Sequence, residues 1–309
     1  MNIRKILFPT DFTPHAEQAF PHALYLGEEF GADVHMFHAV VLHAADPANP
    51  ERAFPDLEVT YEEIRAWAAE QMEATAEAAD RPEVRLVHAE ERAIAPAPAI
   101  VEYAEEEDVD LVVMATHGRR GVRRMLLGSV AEEVLRIAPC PVLTVRPRPE
   151  GPGPGRPERI VVPVDFSEHS DLALASAAEL ARRTGAALSV LHVVPEMSYP
   201  DPYFADAAAL RSMAKAAQEE VPQALARNVD RVVGDDVSAD THMRVGSPAA
   251  TVAEFAEEEG ADMVVVASHG RTGVKRMFLG SVAEGIVRRA PCPVLTLKAF
   301  GKNLLEEGA

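Results

Sequence analysis

Across 309 residues the chain has two cysteines and one tryptophan. Cys140 and Cys292 stand at the same place in two copies of the string APCPVLT. With no CxxC pair and no histidine-rich tract, a zinc site lacks ligands, and no metal-ligating residues are expected. A buried thiol in each copy is the expectation, not a disulfide. Basic residues are outnumbered, 30 Lys and Arg against 49 Asp and Glu, for a net charge of −19. Such a field repels nucleic acid and anionic membranes, and binding either would need a strong local basic patch; no nucleic acid partner is expected. The acidic runs at 105–107 and 257–259 read as solvated helix ends. No apolar run reaches the ~18 residues of a membrane-spanning helix. The opening MNIRKILFPTDF passes into a strand-like segment without a cleavage site, so a cytoplasmic location is expected. Enzyme signatures are missing as well: there is no HIGH-type adenylation motif, no SGGxDS loop and no Walker A lysine. No Ser-His-Asp or paired-carboxylate arrangement stands at a suggestive spacing, so no catalytic residues and no dedicated enzyme are expected.

What the chain does contain is one unit written twice. Around RPRPEGPGPGRP neither helical nor strand period survives. This predicts a first domain over 1–147, a linker over 148–157, a second domain over 158–300 and a tail over 301–309. KILFPTDFTPHAEQA matches RIVVPVDFSEHSDLA, VHMFHAVV matches LSVLHVVP, and VDLVVMATHG matches ADMVVVASHG. Short β-branched runs alternate with segments of helical period, the pattern of an α/β domain with a parallel sheet covered on both faces. Five strands and four helices per copy are expected. The strands fall near 4–9, 33–40, 83–89, 110–115 and 141–146, then near 159–164, 187–194, 237–245, 262–267 and 293–298. Thr13 and Ser167 suit the N-cap of each first helix, Pro14 suits its first turn, and Pro21 should kink it in the first copy. Segments 42–57 and 195–206 differ most between copies and read as loops or lids.

Closest agreement falls on a polar loop, THGRRGVRRMLLGSV at 116–130 and SHGRTGVKRMFLGSV at 268–282. Gly118 and Gly270 follow a buried strand, and nine residues later Gly128-Ser129 and Gly280-Ser281 open a short helix. Glycines permit close approach of a ligand, and the N–H groups of a helix start favour phosphate. The serine could cap that helix and also meet the anion. Arg119, Arg123, Arg124, Arg271, Lys275 and Arg276 add positive charge to a strongly negative chain. Asp11 and Asp165, ending the first strand of each copy, could read an adenine or ribose edge or could bond the turn that follows. His117 and His269 could touch phosphate or ribose, whereas His38 and His192 read as packing and hydrogen-bonding residues.

These residues resemble the universal stress protein family in its tandem form, over nearly the whole chain. The family's motif G-x2-G-x9-G-[ST] is met by Ala115-x2-Gly118-x9-Gly128-Ser129 and Ala267-x2-Gly270-x9-Gly280-Ser281. Both copies carry alanine at its first position. The resemblance implies two open five-stranded parallel sheets of order 3-2-1-4-5, Rossmann-like and of the nucleotide-binding α-hydrolase type. It also implies ATP, with Mg²⁺ or Mn²⁺, across the ends of strands one and four. Carried over by position, the first site comprises Pro9, Thr10, Asp11, Val40, Val41, Met114, Ala115, His117, Gly118, Arg119, Gly128, Ser129 and Val130. The second comprises Pro163, Val164, Asp165, Val193, Val194, Val266, Ala267, His269, Gly270, Arg271, Gly280, Ser281 and Val282. The copies differ at Thr10 against Val164, and at Ile94-Ala95-Pro96 against Gly246-Ser247-Pro248. The implied role is a nucleotide-dependent stress-response regulator with weak hydrolysis at most. The alternative is an interaction scaffold without nucleotide, and the protein partner is not legible. The last strand of each copy is expected to pair between copies as an intramolecular pseudo-dimer, with a homodimer of the whole chain as a further expectation.

Overall fold

The run KILFP folds as the first strand, β1 (Lys5–Pro9), and buries its last four residues. A computed structural model describes residues 1–42, 45–46, 49–53, 57–79, 81–116, 127–146, 156–196, 207–270, 279–298 and 300–305. The chain divides into two units. The first comprises Asn2–Gly155 with Phe300–Leu304, and the second comprises Met1, Arg156–Ala299 and Leu305–Ala309. In the first, β1 is followed by α1 (Pro14–Glu17), α2 (Phe20–Phe30), β2 (Asp33–Val41), β3 (Ala45–Asp46), β4 (Asn49–Ala53) and α3 (Leu57–Ala79). Then come β5 (Leu86–Ala93), α4 (Pro96–Glu106), β6 (Leu111–Ala115), α5 (Ser129–Ile137) and β7 (Val142–Val145). The second unit runs β8 (Arg159–Pro163), α6 (Glu168–Thr184), β9 (Ala187–Pro195), α7 (Ala207–Val232) and β10 (Ala239–Gly246). It ends with α8 (Pro248–Glu258), β11 (Met263–Ala267), α9 (Ser281–Arg289) and β12 (Val294–Leu297).

All principal strands run parallel, in the order β5-β2-β1-β6-β7 in the first unit and β10-β9-β8-β11-β12 in the second. This is the expected 3-2-1-4-5 order. Its reversal falls beside β1 and β8, where an open α/β sheet leaves a crevice at its carboxyl edge. Ile6, Leu7, Phe8, Val112 and Val113 have no exposed surface, since helices cover both faces of β1 and β6. Cys140 and Cys292 are buried thiols. No helix among the described residues is long and apolar enough to cross a membrane.

Three expectations are adjusted. The third strand begins at Leu86, not near 83, because Val84 is spent on a turn, donating to the Arg81 carbonyl at 3.2 Å, and its side chain packs against Gly27. It then continues through charged residues to Ala93, as an outer strand with one edge unpaired by the sheet can. Within 42–57 the described backbone forms an antiparallel hairpin of β3 and β4 where a loop was expected, and 197–206 lie outside the described residues. Pro21 does more than kink its helix: α1 ends at Glu17 and α2 begins at Phe20, with Pro21 in the first turn where its missing N–H is harmless. Ala175 holds the corresponding place in the second unit, ten residues before the terminating Gly185 as Pro21 is before Gly31, and α6 is unbroken.

His22, on α2, is held at a pKa of about 4 by burial. A base whose folded pKa lies below its unfolded value of about 6.5 binds fewer protons folded than unfolded, so stability is lost as pH is lowered through that window. We expect the first unit's melting temperature to drop between pH 6.5 and about 4. Substituting His22→Ser, the residue at the matching position 176, should flatten that slope, as thermal melts across the range would show.

Phe300–Leu304 packs as part of the first unit. The Asn2 N–H donates to the Leu304 carbonyl at 3.0 Å and the Lys302 N–H to the Pro139 carbonyl at 2.9 Å. Lys302 Nζ donates to Asp110 Oδ1 and to the Asp108 carbonyl, each at 2.6 Å, and pairs with Asp108 Oδ1 at 2.9 Å. The other Asp110 oxygen accepts the N–H groups of Arg4 at 2.8 Å and Lys5 at 3.0 Å, tying the start of β1 to the start of β6. Asp262 does the same for Glu158 and Arg159 in the second unit. Burial pulls the Lys302 ammonium down, but hydrogen bonds to Asp110 and Asp108 outweigh it and the pKa is raised.

Candidate functional site

Each site begins where the first strand leaves the ladder. The Thr10 N–H donates to the Phe37 carbonyl at 2.9 Å, and the Val164 N–H to the Leu191 carbonyl at 2.9 Å. The chain then turns sharply. Asp11 Oδ1 accepts from the Thr13 N–H at 3.1 Å and the Thr13 hydroxyl at 2.6 Å, and Asp165 Oδ1 accepts from the Ser167 N–H at 3.1 Å and hydroxyl at 2.5 Å. Thr13 and Ser167 in turn cap their helices by accepting from the N–H groups of Ala16 and Ser170, both at 3.2 Å. One carboxylate oxygen in each copy therefore bonds the turn. Thr10 lends its hydroxyl to the Phe12 N–H at 3.0 Å, a bond that Val164, lacking a hydroxyl, cannot supply to Phe166. Phe12 and Phe166 both adopt left-handed backbone, φ 58° and 61°.

Across the reversal stands the start of the short helix. The Gly128 N–H donates to the Thr116 carbonyl and the Gly280 N–H to the Ser268 carbonyl, both at 2.8 Å. This pins α5 and α9 to the ends of β6 and β11. Gly128 and Gly280 are themselves the N-caps, with φ −64° and −62°, and Ser129 and Ser281 are the first helical residues. The capping role expected of the serines is thus corrected: no side-chain bond caps either helix, because the glycine occupies the cap position. Glycine is needed for space, since a Cβ on Gly280 would lie 2.9 Å from the Ser268 carbonyl oxygen. At Gly270 a Cβ would collide with Asp165 Oδ2, so that carboxylate lies directly over the loop glycine. The Ser268 hydroxyl and His269 Nδ1 are 3.1 Å apart.

Pro9, Thr10 and Asp11 thus stand at the end of β1 and its turn, Val40 and Val41 at the end of β2, and Met114 and Ala115 at the end of β6, with Gly128, Ser129 and Val130 opening α5. The second unit repeats this with Pro163, Val164, Asp165, Val193, Val194, Val266, Ala267, Gly280, Ser281 and Val282, joined by His269 and Gly270. His117, Gly118, Arg119, Arg123, Arg124, Arg271, Lys275 and Arg276 lie outside the described residues. Among the described residues no group of three or more His, Cys, Asp or Glu could hold a metal ion.

Ala115 and Ala267 close their strands in regular register with Val145 and Leu297, and neither has positive φ. The backbone there does not require glycine, so we expect Ala115→Gly and Ala267→Gly to change the affinity for any nucleotide held at these strand ends by less than about threefold. Isothermal titration of the double variant beside the parent checks this.

The sequence reading passed over one feature of both turns. Phe12 packs at a tilt against His38 with ring centroids 4.7 Å apart and planes 37° apart, and Phe166 against His192 at 4.6 Å and 34°. The spacing from Phe to His is identical in the two copies and was the available signal. In the first unit Trp67 of α3 adds an edge-on contact to Phe12 at 5.2 Å.

The profile described as the universal stress protein family matches residues 2–146 and again 157–298. The chain is 35% identical over 143 residues to universal stress protein MJ0531 of Methanocaldococcus jannaschii, covering 46% of this chain and 82% of that protein. It is 30% identical over 208 residues to universal stress protein Rv2005c of Mycobacterium tuberculosis, covering 66% of each chain. Among solved structures, a universal stress protein from Archaeoglobus fulgidus superposes with a TM-score of 0.63 at 25% identity, over 95% of this chain and 98% of that one.

Proposed function

Because the chain belongs to the universal stress protein family and carries its domain twice, we propose that it binds an adenine nucleotide, ATP above all, at the carboxyl edge of each sheet and acts as a nucleotide-dependent regulator. The observation that carries this reading is the paired closure of Gly128 on Thr116 and Gly280 on Ser268, both at 2.8 Å. It sets the open N–H groups of a helix start, with their partial positive charge, beside the strand ends that carry Asp11 and Asp165. Phosphates suit the helix start, and the ribose and base suit the carboxylate at the strand end. A divalent ion such as Mg²⁺ or Mn²⁺ would arrive with the phosphates. No dedicated catalytic step is assigned to the chain.

The test is calorimetric titration with ATP, ADP, AMP and cAMP, together with identification of any nucleotide retained when the protein is purified without additions. Micromolar-range binding of ATP, tightest of the four, is the expected result. No heat and no thermal shift with any of them would leave the family's fold serving as an interaction scaffold.

A further inference from the structure

The same histidine braces both turns. The β1–β2 ladder ends at Pro9 opposite Phe37, and the β8–β9 ladder at Pro163 opposite Leu191. The next carbonyl on each first strand is met by a side chain: His38 Nδ1 lies 2.8 Å from the Thr10 carbonyl oxygen, and His192 Nδ1 lies 2.8 Å from that of Val164. A carbonyl only accepts, so Nδ1 carries the proton in both rings. The carbonyl so held belongs to the residue immediately before Asp11 or Asp165. The same imidazole packs at a tilt against Phe12 or Phe166, whose left-handed backbone is uncommon for a bulky side chain and persists only where the surroundings hold it. Hydrogen bond, ring distance, backbone angle and sequence spacing thus agree between two copies that differ at the very residue held, threonine in one and valine in the other.

We propose that His38 and His192 are positioning residues of the two candidate sites, each fixing through Nδ1–H the strand-end peptide from which the site carboxylate projects. The proposal rests on the nucleotide reading for what the turn presents, and on its own geometry for how the turn is held. A packing role alone would be served by any apolar side chain of similar bulk. A brace needs a donor at one atom, two bonds from Cβ. Asparagine places its amide nitrogen there, whereas glutamine places it one bond farther, at the reach of Nε2.

The experiment uses the full chain and three variants, His38→Asn, His38→Gln and His38→Leu. Long-range ¹⁵N–¹H correlation of the parent should show both imidazoles protonated at Nδ1. Amide exchange at Phe12 and Thr13, which close the turn through the Thr10 hydroxyl and Asp11 Oδ1, should accelerate on the order of tenfold in the Leu and Gln variants and stay within about threefold of the parent in the Asn variant. ATP affinity should follow the same ranking, and the emission of Trp67, edge-on to Phe12, should shift only where exchange accelerates. If ATP binds neither the parent nor the Asn variant, the nucleotide reading falls while the exchange ranking still decides the brace. Protonation at Nε2, or equal exchange in all three variants, overturns the proposal.

Discussion

If adenine nucleotide binds as proposed, Gly280→Ala is expected to weaken the second candidate site and leave the first unchanged. The added methyl would sit 2.9 Å from the Ser268 carbonyl oxygen, where ordinary contact begins at 3.4 Å. That oxygen cannot step aside cheaply, because the Ser268 N–H is itself bonded to the Leu297 carbonyl at 2.7 Å in the sheet. The helix start must move instead, breaking the Gly280 N–H bond that closes the site. Dihedral strain is not involved, since φ is −62°. An overpacked contact of this kind costs about 1–3 kcal/mol, and a loss of that size in the bound geometry is roughly five- to 150-fold in affinity. On the proposed nucleotide reading, titration of Gly280→Ala with ATP should therefore show the second candidate site weakened by that factor and the first unchanged. Gly270→Ala makes a useful contrast. Its methyl meets the end of a rotatable carboxylate, so the fold should adjust and the effect should pass through Asp165. Unchanged binding at both sites in Gly280→Ala would show that the close approach plays no part in holding ligand.

Ending the chain after position 299 should destabilise the first unit more than the second, which loses only Leu305–Ala309. Leu304, 1% exposed, is lost together with the backbone bonds at Asn2 and Pro139 and the Lys302 contacts. Burial of one leucine contributes about 1.5–3 kcal/mol, and partly exposed charge-assisted bonds add about one more after solvent screening. A unit of this size should then melt roughly 5–15 °C lower, and calorimetry of the truncated and intact chains resolves it. Lys302→Ala should reproduce a smaller part of the drop. Lys302 holds the Asp108 carboxyl below the usual carboxylate range. A depressed carboxylate stabilises the fold above its unfolded pKa, and that stabilisation is lost as pH falls through the lowered value. The difference between parent and Lys302→Ala should accordingly shrink below about pH 4 and at high salt. Equal melting of truncated and intact chains would mean that the segment lies on the first unit without supporting it.

Most of the fold was legible because its cause is local. Continuous apolar runs such as Leu111–Ala115 can only be strands buried on both faces, and Thr13 and Ser167 announce their helices by capping chemistry. The outer strand β5 was misplaced because an edge strand needs one apolar face only, so its charged half, Glu90 to Arg92, resembles a loop. The site was legible as a set of strand ends and glycines. What each glycine does was not, because Gly280 is required by a carbonyl twelve residues away that only the folded chain brings near. His38 and His192 were legible as packing and hydrogen-bonding residues, but their partners, the Thr10 and Val164 carbonyls, were not. Lys302 was beyond reach for a simpler reason: its partners Asp110 and Asp108 precede it by 192 and 194 residues.

That separation has a consequence for biosynthesis. Residues 2–155 leave the ribosome first, yet the unit they form is completed by Phe300–Leu304. At about 5–20 residues per second, the intervening stretch of roughly 145 residues takes about 7–30 s to translate. Through that interval the nascent N-terminal unit has its sheet but not its last partners, and the Asp108 and Asp110 side chains have no Lys302 to meet. The unit made first thus waits for a segment made after nearly all of the second. A stalled or prematurely terminated message would release it in its least stable form, the form most open to chaperones and proteases.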